Sequence, residues 1–234
     1  SGDVYAFRGA NKRDFWKYSV STNTWTLLAN APGTVEEGGS LAWVGGDYIY
    51  ALRGDKSRDF WRYRISTDQW EDLDDTPDEV DDGGAMVFIS GTLYALRGDN
   101  RDDFWRFSPL PPDAPTPTPT PTPTAGWSAL KDTPANVKSG GAMTTNGTDL
   151  YTFRGAGKDD FWRFDVSSGQ WSLLQEAPER VSAGGALTYA NGFIYAFRGG
   201  YKKDFWRYSI SSNDWQSLAS APEKVHWGAA LASD

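Results

Sequence analysis

The residues best placed to do chemistry in this sequence are five arginine–aspartate pairs that recur at one spacing. Each arginine is followed directly by glycine, and the aspartate of an Asp-Phe-Trp triplet stands six positions after the arginine. A hairpin that brought the two side chains together would form a charge-assisted hydrogen bond. We predict that the pairs are structural and clamp five hairpins; the alternative is a ring of arginines that faces an anionic ligand in a channel. The pairs are Arg8 and Asp14, Arg53 and Asp59, Arg97 and Asp103, Arg154 and Asp160, and Arg198 and Asp204.

A second group of charged residues lies between the arginine and the aspartate of each pair. Each of the five loops carries at least one base, and the segments that precede the next repeat are mostly acidic, as at Glu36 and Glu37. This distribution predicts a charged recognition face. The alternative is a solvated rim in which neighbouring loops neutralise one another. The basic residues are Lys12, Arg13, Lys56, Arg58, Arg101, Lys158, Lys202 and Lys203.

Residues for catalysis or metal binding are scarce. The sequence has one histidine, His226, and no cysteine, so a site with several histidines or a thiolate is excluded. The acidic pairs Asp81–Asp82 and Asp102–Asp103 lack the ligand spacing of an EF-hand. We therefore predict no catalytic residue, no cofactor and no metal ion, and a protein that is not an enzyme. A glycan-active enzyme stays as an alternative, because the separation of two carboxylates is a three-dimensional quantity.

The elements that position these residues follow from the repeat itself. The five arginines are spaced by 45, 44, 57 and 44 residues, and a period near 44 with short alternating strands predicts a β-propeller. In the second repeat the four strands are predicted at 39–44, 48–53, 59–65 and 69–73. The sequence thus predicts an all-β, five-bladed propeller with four antiparallel strands in each blade, here called strands a to d.

The repeat resembles the Kelch repeat. The segment 59–70, with Asp-Phe-Trp at its start and Trp70 at its end, looks like the third strand, turn and fourth-strand tryptophan of that family, and Pro77 and Leu93–Tyr94 also fit. Arg-Gly stands where the family has a double glycine, in all five copies. The resemblance implies a Kelch-like propeller that usually binds a partner. Some relatives are copper oxidases, whose tyrosine–cysteine cofactor cannot form here.

The two ends of the chain complete each other in this scheme. The sequence begins in a strand b, at 4–8, and finishes in a lone strand a, at 228–233. We therefore expect the terminal strands to close one blade, which hides sheet edges that would otherwise pair with other chains.

One insertion interrupts the period between strands c and d of the third repeat. It is an alternating Pro/Thr tract, which cannot join a sheet and favours a stiff polyproline II conformation. Its 14 residues from 111 to 124 would reach roughly 43 Å. We divide the chain into 1–107, a linker at 108–125, and 126–234, with about two and a half blades on each side. Because such tracts are common in secreted and surface proteins, we expect an extracellular or cell-surface location.

Composition narrows the class of partner. The formal charge of −8 argues against a nucleic-acid partner, and no apolar stretch approaches the length of a membrane span. The sequence predicts a non-catalytic interaction or scaffold module whose partner is a protein or a glycan. The alternative is a structural protein that binds other copies of itself and forms extracellular filaments by sharing blades through the Pro/Thr linker.

Overall fold

The computed structural model of the chain describes residues 3–9, 11–19, 21–109, 126–221, 223–225 and 231. These residues form β-strands, turns and loops and contain no helix. The strands make five antiparallel sheets arranged as a β-propeller. The fold class predicted from the 44-residue period is therefore confirmed.

The strand bounds follow the sequence repeat. Blade 1 contains β1 (Val4–Phe7), β2 (Phe15–Ser19) and β3 (Thr24–Leu27), and blade 2 contains β4 (Ser40–Trp43), β5 (Tyr48–Leu52), β6 (Phe60–Arg64) and β7 (Gln69–Asp72). Blade 3 contains β8 (Ala85–Ile89), β9 (Thr92–Leu96), β10 (Phe104–Ser108) and β11 (Gly126–Ala129). Blade 4 contains β12 (Ala142–Thr145), β13 (Asp149–Phe153), β14 (Phe161–Asp165) and β15 (Gln170–Leu173). Blade 5 contains β16 (Ala186–Ala190), β17 (Phe193–Phe197), β18 (Phe205–Ser209) and β19 (Asp214–Ser217).

Consecutive strands pair within each blade. Blades 2 to 5 have the predicted order a-b-c-d, with the first strands β4, β8, β12 and β16 side by side at the centre. In blade 1 the described strands are b, c and d. The predicted strand a at 228–233 lies outside the described residues.

The two segments that flank the Pro/Thr tract meet in one sheet. In blade 3, β10 pairs with β11 of the same chain, so that Trp105 lies opposite Ala129 and Ser108 lies opposite Gly126. Residues 110–125 lie outside the described part of the chain. The division into two halves at this tract stays a prediction.

Neighbouring blades are joined by an aromatic cluster. The phenylalanine that begins strand c, such as Phe60, contacts an aromatic ring of the next blade's strand c and the tryptophan of its strand d. Phe60 lies 4.9 Å from Phe107 and 4.8 Å from Trp127 between ring centroids, both edge-on. This edge-to-face geometry adds to the hydrophobic stabilisation from burial. The same cluster recurs at Phe15 with Tyr63 and Trp70, at Phe104 with Phe164 and Trp171, and at Phe161 with Tyr208 and Trp215.

Polar bonds accompany this cluster at the outer strand. The Trp70 indole donates to the carbonyl of Ala29 in the preceding blade at 3.0 Å. The backbone N–H of Ala29 in turn donates to the Asp68 carboxylate at 2.8 Å. Between blades 4 and 5, Trp215 and Asn213 bond to Gln175 in the same way. In blades 2 and 5, strand d is thus held by its tryptophan and by the acidic or amide residue two positions earlier. In blade 4 the Trp171 indole donates to the Lys131 carbonyl at 2.9 Å, and a glycine stands two positions earlier.

At the centre, the blades approach so closely that only glycine fits. Gly83, at φ +88°, would place a Cβ 2.3 Å from the backbone oxygen of Lys138 in the next blade. Gly38 and Gly140 have the same conformation, and their Cβ atoms would lie 2.2 Å from the oxygens of Asp81 and Ser182. No side chain can move to relieve a contact between two backbones. The double glycines of the sequence are therefore explained by contact between blades.

The central contact can be separated from backbone conformation by two alanine variants. Gly91 has a similar φ of +84°, but a Cβ there would meet nothing within 4 Å. We expect Gly91→Ala to destabilise the protein by about 1–2 kcal/mol, the cost of a left-handed alanine. Gly83→Ala adds the collision between blades, and we expect it to cost about 1–3 kcal/mol more. Urea denaturation followed by circular dichroism measures both, and equal losses would contradict the proposed contact.

Candidate binding face

Two sets of loops form one end of the propeller. The loops between strands b and c are bridged to the loops that lead into the next blade, and we call this end the loop face. One valine of each inter-blade loop forms the bridge, and those at positions 35, 80, 137 and 181 are buried. The two sets of loops are therefore joined into one surface. The bridges are Lys12 with Val35, Ser57 with Val80, Arg101 with Val137, Lys158 with Val181, and Lys202 with Val225.

The structure brings together all five predicted arginine–aspartate pairs. In each hairpin, Nη1 of the arginine faces Oδ2 of the aspartate. The side chains of the arginines in blades 2 to 5 are 12 to 27% exposed, whereas that of Arg8 is 50% exposed. The Nη1–Oδ2 distances are 3.2 Å for Arg8–Asp14, 2.7 Å for Arg53–Asp59, 3.0 Å for Arg97–Asp103, 3.1 Å for Arg154–Asp160 and 3.4 Å for Arg198–Asp204.

The sequence did not show that these arginines also join one blade to the next. Besides its aspartate, each of four arginines contacts the loop that arrives from the preceding blade. Its Nε donates to a backbone carbonyl there, so that one guanidinium bonds to its own hairpin and to a neighbouring blade. The bonds are Arg53 to Thr34 at 2.9 Å, Arg97 to Glu79 at 3.0 Å, Arg154 to Asn136 at 3.2 Å and Arg198 to Arg180 at 3.1 Å.

The glycine after each arginine explains why the pair Arg-Gly recurs. Gly54 has φ +73°, and a Cβ there would lie 2.1 Å from the carbonyl oxygen of Glu37. Arginine thus stands where its side chain can cross to the neighbouring loop, and glycine stands where the backbone touches that loop. The sequence indicated this contact by having Arg-Gly in all five copies where the Kelch repeat has a double glycine.

A cavity of about 550 Å³ opens at the centre of the loop face. Its described lining includes the carboxylates of Glu36, Glu37 and Asp82, together with Arg8 and the glycine backbone. Arg8 is the one member of the five pairs found among these described lining residues. The described lining therefore contains no ring of arginines. The charged side chains at the mouth of the cavity are mainly acidic.

The carboxylates at this mouth are held in an unfavourable environment. Burial raises the pKa of Glu37, and the charges of Asp82, Asp81, Glu36 and Asp55 raise it further. Burial also raises the pKa of Asp82, although a hydrogen bond from Ser139 acts in the opposite direction. Like charges from two inter-blade loops therefore face each other, which favours a cationic group between them.

All eight basic residues of the predicted recognition face are exposed. Three are engaged: Arg13 donates to Ala31 at 2.7 Å, Arg58 donates to Thr76 at 3.0 Å, and Lys203 lies 3.8 Å from Glu223. The other five form no side-chain hydrogen bond or ion pair with the described residues. They supply one cation from each blade, and we call them the rim cations: Lys12, Lys56, Arg101, Lys158 and Lys202.

The strand-c tryptophans are part of the core. Trp61, Trp105, Trp162 and Trp206 are at most 3% exposed, so these rings cannot stack on a sugar. His226 lies outside the described residues. Among the residues that the structure describes, no group of three His, Cys, Asp or Glu is arranged to hold a metal ion. The described part also contains no helix of the length and apolarity needed to cross a membrane.

The strand order and the loop face define a β-propeller. The chain is similar to the solved structure of YjhT, with a TM-score of 0.75 and 15% identity, over 97% of this chain and 83% of that one. At this identity, the likeness shows the fold alone. No protein-family model and no curated protein matches the sequence. Membership of the Kelch family therefore stays an interpretation of the repeat.

The structural role of the arginines can be tested at Arg97. Its side chain bonds to the Glu79 carbonyl at 3.0 Å and faces Asp103 at 3.0 Å and Asp78 at 2.8 Å. We expect Arg97→Ala to lower the free energy of unfolding by about 1–2 kcal/mol, allowing for solvent screening of the exposed aspartates.

The control is Arg106→Ala, which removes an exposed arginine of the same blade whose side-chain hydrogen bond among the described residues is to Ser128. This change should alter stability by less than about 0.5 kcal/mol. Thermal and urea unfolding compare the two variants. If Arg97→Ala kept full stability but removed binding of an anion, the arginine-ring interpretation would be favoured instead.

The acidic mouth predicts a pH dependence with a definite sign. Because the pKa values of Glu37 and Asp82 are raised in the folded protein, the native state binds more protons than the unfolded chain. Stability contributed by these groups therefore falls as the pH rises from about 4 through the raised values. We expect the double variant Glu37→Gln/Asp82→Asn to melt at a higher temperature at pH 7, with no advantage at pH 3. The control, Asp72→Asn/Asp214→Asn, changes the net charge equally on outer strands, and an equal gain there would contradict the prediction.

Proposed function

We propose that this chain is a non-catalytic interaction module of a secreted or cell-surface protein, and that it binds a protein partner at the loop face. The observation that carries the proposal is the concentric arrangement of charge there. Glu36, Glu37 and Asp82 line the central cavity, and the rim cations lie outside its described lining, in the loops between strands b and c, one in each blade. Apart from Arg8, the arginines of the five pairs are absent from the described lining and face their aspartates.

The mixed sign of this surface favours a protein over a glycan. An anionic glycan would meet the rim cations but would be repelled by Glu37 and Asp82 at the centre. A neutral glycan needs an aromatic platform. Four of the strand-c tryptophans are buried, and Tyr201, a single ring 60% exposed in the b–c loop of blade 5, gives this face much less aromatic surface than charge. A protein surface can present a lysine or arginine to the cavity and acidic side chains to the rim. Such complementarity raises association rates and selects partners more than it raises affinity.

The fold supports a binding role in a second way. Glycine contacts at the centre and arginine bonds between blades fix the loops to the sheets. Loops on a rigid scaffold are common sites of recognition, since little conformational entropy is lost on binding. The location outside the cell rests on the Pro/Thr tract, because such tracts are common in secreted and surface proteins.

A random-peptide display library tests this proposal with the native protein as bait. We expect enriched peptides to carry a basic residue flanked by acidic ones, and their binding to weaken as salt is raised. The variant Lys56→Ser/Lys158→Ser/Lys202→Ser should lose the preference for flanking acids. Glu37→Gln/Asp82→Asn should lose the preference for the central base.

The matched control is Arg64→Ser/Arg106→Ser/Arg207→Ser, which removes the same charge from strand c and should leave the selected sequences unchanged. A glycan array measured in parallel separates the two partner classes. Binding to acidic glycans without any enriched peptide would overturn a protein partner. Enriched peptides without charge would overturn the loop face as the site.

A further inference from the structure

The loops between strands b and c share one backbone conformation near the bridge to the inter-blade loop. In each, one residue has a positive φ between +52° and +65°. Amino acids with a bulky side chain rarely adopt this left-handed conformation, whereas glycine and asparagine suit it. The five residues are Asn11, Lys56, Asn100, Gly157 and Tyr201. Lys56 and Tyr201 are therefore the exceptions, and Lys56 is already one of the rim cations.

Tyr201 is an unfavourable residue for this position in two respects. A bulky aromatic residue in the left-handed region is a conformational outlier. Burial does not compensate for it, because Tyr201 is 60% exposed. The surrounding structure holds the conformation: the N–H of Tyr201 donates to the Val225 carbonyl at 2.9 Å, and that of Gly200 donates to the Ala183 carbonyl at 2.8 Å. Strain that is held in this way is concentrated at functional sites.

The place of this ring on the molecule also sets it apart. Among the described residues, the other exposed large apolar side chains lie on strands, whereas Tyr201 lies in a loop of the loop face. Those on strands are Val4, Trp25, Leu27, Trp43 and Leu173. Tyr201 is therefore the exposed large apolar side chain that the described loops carry at this end of the propeller.

Tyr201 lies on the other side of the cavity from Asp82. The loop that carries Tyr201 bonds to Ala183, which lines the cavity and is uncharged. In a ring of five blades, the loop between blades 2 and 3, which carries Asp82, stands opposite blade 5. The loop face is thus polarised, with carboxylates on one side of the cavity and an aromatic ring followed by Lys202 on the other.

We propose that Tyr201 is the apolar anchor of the loop face and receives an apolar side chain of the protein partner, beside an acidic side chain that pairs with Lys202. This role rests on the proposed function, since it takes the loop face as the site of a protein partner. Tyrosine suits the role because its ring offers a large contact area and loses little conformational entropy when it is ordered.

The position of Tyr201 gives the partner an orientation. The basic side chain that enters the cavity lies towards Asp82, so the apolar side chain must stand on the other side of that base. A partner segment that satisfies both ends therefore carries its apolar residue at one fixed spacing from the base.

The random-peptide library, with the native protein as bait, tests this role. We expect enriched peptides to carry an aromatic or aliphatic residue next to an acid, at one spacing from the central base. Selection on Tyr201→Asn should keep the base and the acid and lose the apolar position. Tyr201→Phe should keep all three, because contact with the ring does not need the hydroxyl.

The matched control is Trp43→Asn. It removes a ring that is 63% exposed beside the turn between β4 and β5, at the other end of the propeller. The selected sequences should be the same as with the native protein. An apolar position that disappears in this variant as well would overturn the role of Tyr201.

A thermodynamic cycle measures the contact itself. The best peptide from the native selection, and the same peptide with alanine at its apolar position, are titrated by calorimetry into the native protein and into Tyr201→Asn. We expect either change alone to weaken binding about tenfold or more, and the second change to add little once the first is made. If the two losses multiply instead, the ring and the apolar side chain do not meet, and the proposal is overturned.

Stability separates recognition from a structural role. Because asparagine adopts the left-handed conformation more readily than tyrosine, Tyr201→Asn should not lower the melting temperature. The control Ala156→Gly replaces a residue at φ +57° in blade 4, and should raise the melting temperature without changing peptide binding. A melting temperature several degrees lower for Tyr201→Asn would show that the ring is kept for stability, and would overturn the proposal.

The remaining outcomes separate the role of Tyr201 from the function on which it rests. Enriched peptides with the predicted charges but without an apolar position would overturn the role of Tyr201 alone. No enriched peptide at all would overturn both. A glycan that binds the native protein and not Tyr201→Asn would show that a sugar occupies the ring, and would overturn the apolar side chain as its ligand.

Discussion

The contact between a strand-c phenylalanine and the tryptophan of the next blade is the interaction on which this structure depends. Single four-stranded sheets bury too little apolar surface to be stable alone, so each blade needs a neighbour. At four junctions the phenylalanine is completely buried, at Phe15, Phe60, Phe104 and Phe161. The repeat of Asp-Phe-Trp in the sequence is therefore a repeat of blade junctions, with the aspartate fixing the arginine that bonds across each one.

The packing at the junctions determines what the loops can do. Because glycine backbones touch at the centre and arginines bond between blades, the loop face has little freedom to rearrange. The rim cations form no part of these contacts between blades, and their charged side chains are exposed to solvent. Glu37 and Asp82 remain close together although burial and repulsion raise their pKa values. Retaining such repulsion lowers stability, which is typical of residues kept for binding.

The sequence alone determined the fold class, the strand positions and the pairing of each arginine with its aspartate, because these depend on local alternation and on hairpins that bring nearby residues together. For example, Arg53 and Asp59 are six residues apart, and any tight hairpin joins them. The bond from Arg53 to Thr34 and the collision that excludes a side chain at Gly83 were decided by the tertiary structure. Each depends on how far one blade lies from the next, and that distance is set by the packing of whole sheets rather than by any local pattern.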